Sequence, residues 1–113
     1  MPLFRSIFVK NHAYYYMNVI SFRKLKEFYE IHPDSKPYLT SWFKTVRKAE
    51  WKDFNSVRSD FRSADMIADS RIIFNVKGNR YRMVTRLSFE HRRIMIKWLG
   101  THAEYNRINA KTI

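Results

Sequence analysis

The chain reads as α+β: an N-terminal helical hairpin packed on a twisted, mainly antiparallel β-sheet, closed by a short C-terminal helix. Three observations predict this. Apolar residues recur every three or four positions up to about residue 50. They alternate from Arg71 onward around a Gly78-Asn79 turn, and Thr101 precedes Glu104 by the three residues of a helix-capping box. With 113 residues, 45% of them hydrophobic and 17% aromatic, the chain can bury one core but not two cores and a linker.

Residues 1–16 stand outside the pattern, with a short apolar piece (Leu3, Phe4, Ile7, Phe8, Val9) and a Tyr14-Tyr15-Tyr16 run. They read as an extension, disordered or upstream of a start at Met17, and no function attaches to them. Residues 17–21 suit a short strand. Ser21 is placed to cap a helix reaching His32, in which Phe22, Leu25, Phe28, Tyr29 and His32 share a face. Pro33 and Pro37 punctuate. A second helix follows, with Leu39, Trp42, Phe43, Val46 and Ala49 at helical spacing and Lys44, Arg47 and Lys48 toward water. So short a connection makes the two helices an antiparallel hairpin.

After Trp51, Asn55 and Ser56 can start a short helical stretch through Phe61, and Asp65 and Asp69 mark further turns. Ile72, Phe74 and Val76 alternate with Arg71, Ile73, Asn75 and Lys77. Beyond the turn, Tyr81, Met83, Thr85 and Leu87 alternate with Arg80, Arg82, Val84 and Arg86. A turn over 90–92 leads into a third strand over 93–99, completing an antiparallel meander. Its outward positions gather Lys77, Arg80, Arg82, Arg86 and Lys97 opposite the apolar side. The Thr101 box starts a helix with His102 in its first turn and Tyr105 three residues on, at an amino end that suits an anion such as phosphate.

Charge sharpens the picture. Twenty-two Lys and Arg against ten Asp and Glu leave +12, and from Arg71 onward ten basic residues face only Glu90 and Glu104. A basic face for nucleic acid is the expectation. The absence of cysteine excludes disulfide scaffolds, thiolate zinc sites and cysteine nucleophiles. No apolar run approaches the roughly 18 residues that span a bilayer, and the first residues lack a signal-peptide core. The expectation is a cytoplasmic protein without membrane contact.

The basic half is poor in carboxylates, which disfavours metal-dependent cleavage and implies neither metal nor cofactor. RNA can be cut without metal when its 2′-hydroxyl attacks the adjacent phosphate. One group must then take that proton, another must protonate the leaving 5′-oxygen, and cations must brace the phosphorane. His102 suits proton exchange, Arg82 suits a bidentate brace, Lys77 is either a second brace or the base, and Tyr105 can stack on a base or orient the phosphate. Asn75, Asn79, Arg80, Arg86 and Lys97 read as further RNA contacts. Each also has a plainer reading: His102 as a surface histidine, Arg82 as one generic phosphate contact among several, Tyr105 as packing and Gly78-Asn79 as a turn.

Five blocks carry a family resemblance: Met-Asn-Val-Ile-Ser at 17–21, Ala-Glu-Trp at 49–51, Ser-Ala-Asp at 63–65, the run from 71 to 82, and Gly-Thr-His-Ala-Glu-Tyr at 100–105. From Met17 onward the chain resembles the HigB toxins of bacterial toxin–antitoxin modules, within the wider RelE/ParE superfamily. The resemblance implies a RelE-like fold and an endoribonuclease that cuts mRNA, in many relatives on the translating ribosome. It also implies an antitoxin of the HigA type, a helix-turn-helix DNA-binding protein. Arg82 matches the strand arginine that RelE-type nucleases place at the scissile phosphate. Tyr105 resembles their C-terminal tyrosine, and His102 sits where relatives carry His, Arg or Lys. Two lysines that RelE has on the preceding strand fall at Ile73 and Asn75, so the base stays open. Two other readings remain: an RNA- or ribosome-binding inhibitor that does not cleave, and a ParE-like gyrase poison.

Overall fold

The computed structural model describes residues 16–113. The reading of residues 1–16 as an extension therefore lies, apart from Tyr16, outside the described residues. Strand β1 (Asn18–Ile20) leads into helix α1 (Phe22–Ile31), a 3-10 turn (Pro33–Ser35) and helix α2 (Lys36–Lys48). Helix α3 (Phe54–Asp60) precedes strands β2 (Asp65–Ala68), β3 (Arg71–Val76), β4 (Tyr81–Ser88) and β5 (Arg93–Thr101), and helix α4 (His102–Tyr105) follows. The sheet order is β1-β5-β4-β3-β2, with β1 parallel to β5 and the other neighbours antiparallel.

The predicted meander is present as β3-β4-β5, and the α+β class holds. Two strands widen it. β2 occupies residues read from sequence as turns; it is four residues long, starts on an acid and shifts register between Met66 and Ala68. Its strand character comes from pairing with β3, which a short polar segment cannot announce. β1 gains its partner from the far end of the chain.

Capping splits three ways. Thr101 and Glu104 form the full capping box, with both reciprocal bonds present. Ser21 does not cap α1: its φ of 72° is left-handed and its side chain makes no cap bond, whereas its carbonyl accepts from the Lys24 amide. α3 is capped by Asp53 through the Ser56 amide, ahead of the predicted start.

One face of the sheet packs against the helices. Leu25, Phe28, Leu39, Trp42 and Val46 meet Ile72, Phe74, Val76, Met83, Ile94 and Ile96 in one cluster, and the rings of Trp42 and Phe74 meet edge to face, 5.5 Å apart. The opposite face carries a smaller cluster of Ile73, Val84 and Ala110 with Ile67, Trp98, Tyr105, Ile108 and Ile113 around it. A bulge decides which residues join the second cluster. Val84 pairs with Trp98 while Thr85 pairs with Ile96, so Lys97 is the extra residue. A one-residue offset reverses facing, and Trp98 leaves the face of Ile94 and Ile96 for the outer one.

Candidate functional site

The outer face is ordered in rows set by strand register. Asn75 stands opposite Arg82, Ile73 opposite Val84, and Arg71 opposite Arg86. The C-terminal segment covers the middle row through Ala110 and its neighbours. Arg71 holds that segment, its guanidinium donating to the carbonyl oxygens of Ala110 (3.4 Å) and Ile113 (2.8 Å). The covering leaves two separate clefts.

The first cleft, about 220 Å³, is lined by Arg58, Ser63, Ala64, Asp65, Ile73, Asn75, Arg82 and Tyr105. The Arg82 guanidinium carbon lies 4.8 Å from the centre of the Tyr105 ring, a cation–π arrangement that holds both side chains. The Nε of Arg82 is buried and has no hydrogen-bond partner. A buried N–H without an acceptor costs free energy, and a binding site is one place such a cost persists. Gly100 stands opposite Arg82 on β5, and a Cβ there would lie 2.5 Å from the Trp98 ring and 2.8 Å from Glu104 Oε1. The tight packing of Trp98 on Tyr105, with ring centres 6.1 Å apart, uses that missing methyl.

His102 follows directly on β5, its amide donating to the Arg80 carbonyl at 3.2 Å. Tyr105 is three residues further, on the same flank of the helical turn. The anion-binding amino end anticipated for this helix is not available. Thr101 and Glu104 spend their amides on the capping box, His102 spends its own on Arg80, and α4 has a single turn.

Lys77 and Arg80 do not line this cleft. Both turn to Asp34 beside the helical hairpin, Arg80 at 3.0 Å and Lys77 at 3.9 Å. The Tyr81 hydroxyl donates to the other Asp34 oxygen at 2.6 Å. This bond, then the charges of Lys77 and Arg80, hold the Asp34 carboxyl below its ordinary 3.8, while the same bond raises Tyr81 above 10.0. Asn79 is exposed in the turn. Arg86 and Lys97 line the second cleft with Arg93, Met95 and Ile20. Arg86 is four residues along β4 from Arg82, roughly 13 Å at strand rise.

Sequence reasoning assigned no role to Arg58, Asp34 or Asp65. Only for Asp65 was there a signal, the Ser63-Ala64-Asp65 block. Among the described residues no three His, Cys, Asp or Glu side chains gather to hold a metal ion, and no helix is long and apolar enough to cross a membrane.

A family model described as HigB toxin, the RelE-like toxic component of a toxin–antitoxin system, matches residues 35–108. The chain belongs to the HigB toxin family. The matched span contains every residue that lines the Arg82 cleft. Among HigB relatives, the mRNA interferase toxin HigB of Escherichia coli is 32% identical over 96 residues, covering 83% of this chain and 92% of its own length. The mRNA interferase HigB of Shigella flexneri gives the same figures. The mRNA interferase HigB of another Escherichia coli strain is 22% identical over 94 residues, with 81% and 91% covered.

Proposed function

We propose that this HigB chain is an mRNA endoribonuclease that works without metal, with Arg82 at the scissile phosphate. The observation that carries the reading is the Arg82 guanidinium stacked on Tyr105, its Nε unsatisfied, in a cleft the size of a small polar ligand. An arginine already oriented by an aromatic ring stabilises a developing phosphorane without reorganising first.

In this mechanism the RNA 2′-oxygen attacks phosphorus and the bond to the 5′-oxygen breaks. The products are a 2′,3′-cyclic phosphate and a 5′-hydroxyl end. His102 protonates the leaving oxygen, Tyr105 and Asn75 hold the phosphate or the neighbouring base, and Arg82 braces the charge. Lys77 stands outside the cleft, beside Asp34. Arg86, Arg93 and Lys97 hold the RNA backbone beyond the covered row. The setting is the cytoplasm and the translating ribosome, and the antitoxin of the module is of the HigA type, a helix-turn-helix DNA-binding protein.

Mapping RNA 5′ ends after induction tests the reading. New 5′-hydroxyl ends should appear with the wild-type chain and vanish with Arg82→Ala and His102→Ala, while antitoxin binding persists. Growth arrest with intact transcripts would favour a non-cleaving binder, and DNA damage without mRNA cleavage a gyrase poison.

A further inference from the structure

We propose that Asp65 is the proton acceptor for the 2′-hydroxyl, an inference that rests on the nuclease reading above. The chemistry demands two groups. The 2′-O–H proton must leave as the 2′-oxygen bonds to phosphorus, and a separate proton must reach the 5′-oxygen as its bond to phosphorus breaks. In an in-line displacement the attacking and leaving oxygens lie on opposite sides of phosphorus, so His102 beside the leaving oxygen does not reach the 2′-hydroxyl and requires a partner.

The fold supplies one from a strand the sequence did not reveal. Asp65 opens β2 opposite Ile73, and it lines the cleft together with Arg82 and Tyr105. β2 and β4 are separated by β3 alone, so Asp65 and Arg82 stand on strands about 9–10 Å apart at two strand spacings. That gap admits a ribose and its phosphate between the two side chains. Arg58, Arg82 and Tyr105 are the titratable or charged groups of the neighbouring elements that face it there, with uncharged Ile73 and Asn75 on β3.

Asp65 is the one carboxylate among the described residues that lines the Arg82 cleft, and four others are committed elsewhere. Asp34 accepts from Tyr81 and Arg80, Asp53 caps α3, Asp60 accepts from the Trp51 indole at 2.9 Å, and Glu104 closes the capping box. The Asp65 residue is exposed, and its carboxylate accepts no side-chain hydrogen bond from the described residues. An ionised carboxylate has acceptor capacity only, which is what the 2′-hydroxyl requires. The proton balance closes: Asp65 gains one, His102 loses one, and water restores both.

Steady-state cleavage of one mRNA on programmed ribosomes, with the full chain, tests the assignment. Asp65→Asn should lower kcat by about 10²–10⁴ with KM unchanged. Asp65→Glu should recover part of that loss, and added formate should accelerate Asp65→Gly, which a merely structural aspartate would not allow. Wild-type kcat in Asp65→Asn, an effect on KM alone, or failure of both Glu and formate to restore activity would each overturn the proposal. Wild type and Arg82→Ala run alongside separate the two readings. RNA left whole by the wild type sinks the nuclease reading itself, whereas cleavage that needs Arg82 but not Asp65 sinks only this assignment.

Discussion

The two faces of one sheet are built to different rules. Toward the helices, Trp42, Phe74, Met83 and Ile96 are almost wholly buried, and the buried hydroxyl of Thr85 is satisfied by the Ile72 carbonyl at 2.9 Å. Away from them, two arginines share a face but not a fate: Arg71 spends its guanidinium on carbonyls of the C-terminal segment, and Arg82 keeps a buried Nε with no acceptor. Stability is concentrated on the helix face, and the outer face carries the polar groups a substrate can satisfy. A cation held by its own fold is structural; one stacked on an aromatic ring in a cleft is available to a ligand.

The largest effect should come from the helix face. Phe74→Ala removes a fully buried ring that contacts Trp42 and Phe61, which typically costs about 3–5 kcal/mol. Denaturant unfolding should show that loss, with toxicity falling along with folded protein. Arg82→Ala should separate the two properties. Cleavage should drop about 10²–10³-fold, the usual cost of one preorganised donor, with the unfolding midpoint unchanged or raised because an unsatisfied N–H disappears. A large drop in stability there would erase the contrast between the faces.

Gly100→Ala probes the seam between packing and site. Its methyl must displace Trp98 or Glu104, and overpacking of this kind costs about 1–3 kcal/mol. Loss of the Trp98–Tyr105 contact should lower cleavage further than the stability change explains, read by assaying at equal folded fraction.

The smallest effect concerns the Asp34 clasp. Asp34 is lowered in the folded state, so its contribution is present above 3.8 and is lost as pH falls through the lower folded value. Tyr81 is raised, so its contribution is present below 10.0 and is lost as pH rises through the higher folded value. The melting-temperature gap between wild type and Tyr81→Phe should be widest between those limits and close at both ends. A gap independent of pH would remove the clasp as its cause.

Much of the scaffold was legible because it is local. The periodicity of Leu39, Trp42 and Val46, the Gly78-Asn79 turn and the Thr101–Glu104 box each involve residues within a few positions of one another, and each element formed where expected. Ser21 misled because a left-handed backbone there turns its side chain from the cap. Strand alternation does not show where Lys77 and Arg80 turn, because it ignores Asp34, which lies more than forty residues earlier and attracts both.

By itself the sequence determined the class of fold and the excess of positive charge from Arg71 onward, since these follow from residue type, period and short spacing. Only the tertiary structure decided that β2 exists, that a bulge at Lys97 sends Trp98 to Tyr105, and that Asp65 enters the Arg82 cleft while Lys77 leaves it. Those outcomes depend on strand pairing and on charges meeting across the chain, which no local window of residues contains.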